Sequence, residues 1–313
     1  MSCTPSSRKL IRVSGCALAF ALAASVWPNA ARAFCRTSTC TDCPRDPPTG
    51  CTIGGRSIAW PNACVSFSLS QSVSDSFDVA AASVMMGEAF AVWESARCGS
   101  DEAAPSIRIS PAFGPAVCAK PQYNPESGNA NLIVFRDRSW PYTSKNNELA
   151  ATTLTFDDDG VIYDADVEIN ATGPLNLPMS ENVQAEQLVQ FGIIPDRHDL
   201  LSIMIHEAGH FLGLDHSREE GSIMLAELAP GEVRTQLTAD DVAAICEAYP
   251  PDRVTAACNF EPRGGFESSC DSSSVSGGCS LQRQAPSSRL GLTLLASLMS
   301  VLKIRRARRR PDR

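Results

Sequence analysis

Only four histidines occur among the 313 residues, so chemistry needing several imidazoles must gather them in one place. Long apolar runs are missing too. The two most apolar stretches, residues 13–27 and 290–302, fall short of the roughly 20 residues of a membrane-spanning helix. No internal repeat or low-complexity core is visible, which argues against solenoid and array architectures. What the chain has instead is asymmetric ends, an acidic body, many cysteines and one dense histidine motif.

The beginning combines Arg8, Lys9 and Arg12 with an apolar stretch and then Ala31-Arg32-Ala33. This is the layout of a secretory signal peptide cleaved after Ala33, and residues 1–33 are set aside from fold reasoning. At the other end, Cys279 follows a Ser/Gly-rich stretch. Apolar residues 290–302 come next, then Lys303, Arg305, Arg306, Arg308, Arg309 and Arg310. That order resembles the C-terminal sorting signals of myxobacterial surface proteins, in which the tail is removed. A plain tail anchor is the alternative. Both readings expect an exported protein held at the cell surface, with membrane contact only through residues 279–313. The signal carries +4 and the tail +8, so the whole chain's −8 becomes −20 on residues 34–278. Such a body excludes nucleic acid as a partner and suits a soluble extracellular monomer.

Of thirteen cysteines, ten lie between the two ends. An even number in an exported chain reads as a disulfide framework. Five crowd residues 34–59 and their border (Cys35, Cys40, Cys43, Cys51, Cys64), so at least one of them must pair elsewhere if all are bonded. Cys98 with Cys118, and Cys258 with Cys270, are the expected pairs among the rest. A cysteine-rich segment (34–59), a main domain (60–251) and a linker (252–278) are the expected divisions of the mature chain.

Residues 206–216 read HEAGHFLGLDH. On a helix, His206 and His210 project from one face. Gly213 allows the helix to end and the chain to turn back, bringing His216 round. Three imidazoles with an open fourth position is the ligand set of a catalytic zinc, whereas a structural zinc closes its shell with four protein ligands. Glu207 is placed to take a proton from the water that such an ion activates.

Elsewhere the pattern alternates strands and helices. Residues 64–70, 106–110, 129–137, 149–156 and 161–170 read as strands, with Asp157-Asp158-Asp159-Gly160 as a hairpin turn. Residues 76–96 read as a helix. Asp196 or Asp199 would cap the histidine helix, and Thr238, before Asp240 and Asp241, would cap a last one. Residues 171–195 read as a loop.

The motif HExxHxxGxxH resembles that of the metzincin metallopeptidases, and Met224 in GSIM matches their methionine turn. Ser217 after the third histidine points to the matrixin branch, and the flanking helices are similar over roughly residues 60–250. The resemblance implies an α+β fold: a twisted mixed sheet with a long first helix, an active-site helix and a C-terminal helix. It also implies one catalytic zinc on His206, His210 and His216, with Glu207 as general base. The substrate would be a protein or peptide in extended conformation, added alongside residues 149–156 as an edge strand. Leu225 and Ala226 depart from the family's usual Tyr-Pro, so preference for the residue after the scissile bond cannot be carried over. The histidines of a second, structural zinc are missing, since only His198 remains.

Calcium is a further candidate cofactor, with Asp157, Asp159, Asp164 and Asp166 as oxygen ligands. A solvated hairpin is the competing reading of those acids. Two competing functions stay open: a non-catalytic binding or adhesion module on the same fold, and hydrolysis of a non-peptide amide or ester.

Overall fold

The computed structural model describes residues 33–71, 79–142, 148–172, 175–176, 198–254, 257–269 and 301–306. Residues 1–32 of the expected signal peptide, the candidate cap Asp196, most of the 171–195 loop and most of the tail lie outside them. Among the described residues no helix is long and apolar enough to cross a membrane.

The fold is α+β, with three helices and a mixed sheet among the described residues. Strand β1 is Cys35–Arg36, β2 Cys64–Ser66, β3 Ser68–Leu69, β4 Arg108–Ser110, β5 Leu132–Arg136, β6 Ala150–Phe156 and β7 Ile162–Asn170. Then come β8 (Leu175–Asn176), β9 (His198–Asp199), β10 (Leu214–Asp215) and β11 (Val301–Arg306). The helices are α1 (Val79–Glu94), α2 (Leu200–Phe211) and α3 (Ala239–Ala248). The main sheet runs β11-β6-β7-β5-β3, antiparallel only between β6 and β7. Small two-stranded pairings join β1 with β10, β2 with β4 and β8 with β9.

Alternation along the strands divides the interior in two. Ile133 and Phe135 of β5, Ala150, Leu154 and Phe156 of β6, and Ala165, Val167 and Ile169 of β7 enter the main core. There they meet α1 and α2. Helix α1 buries Ala82, Met85, Met86, Ala89, Phe90 and Trp93, a 3–4 residue spacing that makes one apolar stripe. Each large side chain removed from water contributes roughly 1.5–3 kcal/mol, and Phe90 packs edge-on against Phe211 of α2. On the other face, Leu132 and Val134 form a second small core with Ala116, Cys118 and Ala130.

That division explains the disulfides. Cys98, just past α1, bonds Cys246 of α3, and Cys64 bonds Cys258. The expected pairs Cys98–Cys118 and Cys258–Cys270 are therefore wrong. Cys118 is disulfide-bonded to another partner, and it sits in the second core while Cys98 faces α3. Cys35–Cys51 and Cys40–Cys43 close the N-terminal segment.

A second correction concerns the sheet edge. Strand β6 does not end the sheet, because β11 pairs with it in parallel over its outer side, from Val301 beside Ala151 to Arg306 beside Phe156. Tail residues 301–306 are extended here and continue the sheet.

Candidate active site

Helix α2 begins where Asp199 accepts hydrogen bonds from the N–H and hydroxyl of Ser202, the capping role expected of it. It ends at Leu212, and Gly213 follows with φ +83°. A Cβ there would strike the Ile58 carbonyl, so glycine is required by both conformation and space. The turn delivers β10 and then His216 beside the helix.

The three imidazoles converge. One ring nitrogen from each of His206, His210 and His216 lies within 4.8 Å of the others, and among the described residues no other group of acids, histidines or cysteines gathers so. His206 Nδ1 lies 2.7 Å from the Ile223 carbonyl and His210 Nδ1 lies 2.9 Å from that of Leu214. A carbonyl can only accept, so both Nδ1 atoms carry the proton and both Nε2 atoms present lone pairs. His206 Nε2 is buried with no hydrogen-bond partner. His210 Nε2 and His216 Nε2 stand 3.2 Å apart. Converging lone pairs from neutral rings fit a divalent cation such as zinc. Burial, helped by the neighbouring rings, pushes all three histidines down to about 3, which keeps them neutral.

Glu207 is fully buried, and burial pushes its carboxyl up to about 8 against the opposing pull of a Thr152 hydrogen bond. Thr152 lies on the face of β6 that carries Ala150 and Leu154, and its hydroxyl donates to Glu207 Oε2 at 2.6 Å. Glu207 Oε1 has no partner. A cavity beside Glu207 and His206 is lined by Leu149, Ile203, Leu225, Leu228 and Arg234, with Ala226 also in its wall. Sequence reasoning anticipated Leu225 and Ala226 there. It missed Arg234, whose guanidinium pairs with Glu232 at 2.5 Å and reaches the Leu225 carbonyl at 3.3 Å.

Met224 is buried against α2. Asp241 fixes its turn: the carboxylate accepts from Ser222 Oγ at 2.6 Å and Ile223 N at 3.0 Å, while also closing the capping box with Thr238. Thr238 was legible as the cap; the second duty of Asp241 was not. His198 lies in β9, outside the cluster.

The calcium candidates divide between the hairpin turn and β7. Asp157 accepts from the N–H groups of Asp159 and Val161 and from the Tyr163 hydroxyl, so it holds the hairpin turn. Asp159 pairs with Arg56 at 3.6 Å. Asp164, Asp166 and Glu168 lie on the face of β7 away from the histidines; Asp166 accepts from Gln122 N and Leu132 N, and Glu168 pairs with Arg136.

Residues 116–250 match the sequence model of the matrixin family. A stretch of 54 residues is 44% identical to Metalloendoproteinase 1-MMP of Arabidopsis thaliana, covering 17% of this chain and 15% of that protein. Over 79 residues it is 39% identical to Metalloendoproteinase 2-MMP of the same plant, covering 25% and 21%. Over 57 residues it is 42% identical to Matrix metalloproteinase-C of Caenorhabditis elegans, covering 16% and 10%. The matches thus span between 10% and 21% of these relatives' own lengths. Family and relatives support a matrixin-like metalloprotease, and the α+β architecture agrees with a metzincin-like fold.

Proposed function

We propose that this chain is an exported zinc-dependent endopeptidase. The observation that carries the reading is the convergence of His206, His210 and His216 beside the buried carboxyl of Glu207. His206, His210 and His216 would hold a zinc ion, which when bound would supply an electrophile for the peptide carbonyl and acidify water. Glu207, one residue from the first ligand, takes the proton from the attacking water and returns it to the leaving amine. Thr152 keeps one carboxyl oxygen engaged, so the other is the one free to do this work. The cavity walled by Leu225, Ala226 and Arg234 receives the side chain next to the scissile bond. Disulfides such as Cys35–Cys51, Cys64–Cys258 and Cys98–Cys246 support export into an oxidising compartment. Retention at the cell surface rests on the tail alone.

The test is metal analysis of the purified chain with a cleavage panel of casein, gelatin and quenched peptides, with and without chelator. Stoichiometric zinc and chelator-sensitive peptide cleavage are expected. Glu207→Gln should keep the zinc and lose turnover by about 10²–10⁴-fold, the range for a general base. Zinc uptake without hydrolysis by the unsubstituted chain would instead indicate a binding module.

A further inference from the structure

The cysteine-rich segment 34–59 reads in sequence as a flank, yet it grips the loop that presents His216 at several points. Strand β1 pairs with β10, setting Cys35 beside Asp215 and Arg36 beside Leu214. Thr37 donates its N–H to the Gly213 carbonyl at 3.0 Å and its hydroxyl to the Leu214 carbonyl at 3.1 Å. That Leu214 carbonyl is the one that orients His210. Asp215 is the pivot. Its Oδ1 accepts the N–H of His216 at 2.8 Å, and its Oδ2 is paired with Arg45 Nη1 at 3.1 Å. Arg45 also donates to the Gly50 carbonyl at 2.9 Å, inside the loop that Cys35–Cys51 closes. Beyond His216, Arg218 donates to the carbonyls of Pro47 and Pro48 in the same loop.

Groups behind a ligand fix its orientation and tune how firmly a metal is held. The side chain of Asp215 is only 4% exposed, so its carboxylate needs a cationic partner to offset desolvation, and Arg45 supplies it from an arm that is 54% exposed. We propose that residues 34–59 are a disulfide-locked clasp that positions His216 through Asp215, with Arg45 as the positioning residue. Metal retention then depends on Arg45 and on the Cys35–Cys51 bond, although neither touches the ion. The inference rests on the zinc reading above.

The test is zinc affinity of the full-length chain by chelator competition, together with the absorption spectrum of the cobalt-substituted protein. Arg45→Ala should weaken zinc binding by about 10–100-fold, the usual effect of removing such a supporting group, and should alter the cobalt spectrum. Arg45→Lys should recover part of the affinity. The double variant Cys35→Ser, Cys51→Ser should weaken binding in the same direction. Arg56→Ala, in the same segment but paired with Asp159 away from the histidines, is the control and should bind like the parent. Parent-like affinity and spectrum in both Arg45→Ala and the double serine variant would overturn the clasp. So would an equal loss in Arg56→Ala. Absence of zinc from the parent protein would instead sink the function proposed above.

Discussion

Thr152 and Glu207, 55 residues apart in sequence, meet through a 2.6 Å hydrogen bond inside the main core. The contact joins the sheet to the helix that carries two of the histidines. It engages one oxygen of the buried carboxyl and leaves Oε1 without a hydrogen-bond partner, in a residue that lines the cavity with His206.

Thr152→Val replaces the hydroxyl by a methyl group of similar size. Glu207 then loses the hydrogen bond that favours its ionised form, while burial continues to oppose ionisation. Turnover should fall by about tenfold, a fraction of the full general-base effect, with zinc content unchanged. The check is kcat per bound zinc. Parent-like turnover would show that the hydroxyl does not tune the base.

Gly209 lies inside the histidine motif, and the sequence marks it only as a small residue there. A Cβ at this position would fall within contact distance of Met224 Sδ and 2.8 Å from Trp93 Cζ2. Gly209→Ala must therefore push aside the side chain of Met224 or Trp93, and Met224 belongs to the turn whose Ile223 carbonyl orients His206. Overpacking of this kind costs roughly 1–3 kcal/mol, which should outweigh alanine's better helix propensity of about 1 kcal/mol. Denaturant unfolding of the two proteins measures the difference. A stabilised variant would mean that Met224 moves aside freely.

Local features were legible in the sequence and distant ones were not. The i, i+4 histidines, the Gly213 turn and the caps Asp199 and Thr238 each involve neighbours within one helix end, so spacing alone revealed them. Strand periodicity likewise placed β5, β6 and β7 to within three residues at either end. The β1–β10 clasp, the Cys98–Cys246 bond at a separation of 148 residues, and Arg234 in the cavity wall all depend on which elements become neighbours. No local pattern encodes that. The error over Cys98 and Cys118 came from preferring a short loop, when the alternation of β5 assigns Cys118 to the opposite face of the sheet.

Tyr249 gives the chain an alkaline stability limit. Its phenol is buried, donates to the Leu212 carbonyl at 2.8 Å and accepts from Trp60 N at 3.3 Å. Burial pushes it up to about 12, partly opposed by the Trp60 hydrogen bond and by Arg36 and Arg253. An unfolded tyrosine ionises near 10. Between those values the unfolded chain has released a proton that the folded chain keeps. This contribution is thus intact below about pH 10 and is lost as pH rises toward 12, on the order of 2–3 kcal/mol. Tyr249→Phe should be less stable than the parent at pH 8, by about 1 kcal/mol for the lost hydrogen bonds. That deficit should shrink above pH 10. A deficit that stays constant across the alkaline range would contradict the raised phenol.

The pairing of β11 with β6 bears on how a peptide could reach the site. Val301–Arg306 covers the outer backbone groups of β6 from Ala151 to Phe156, and Thr152 lies within that span. Backbone donors and acceptors already engaged by one strand cannot pair with a second. A chain shortened to end at Gly278 should therefore offer a free sheet edge, and KM for quenched peptides should drop with kcat little changed. Addition of a synthetic peptide matching residues 299–308 should raise KM again by competing for that edge. Zinc affinity should be the same in both chain lengths, because the histidines and their supporting carbonyls lie on α2, on β10 and the residue after it, and in the methionine turn. An identical KM for the long and short chains would mean that β11 does not stand in the substrate's path.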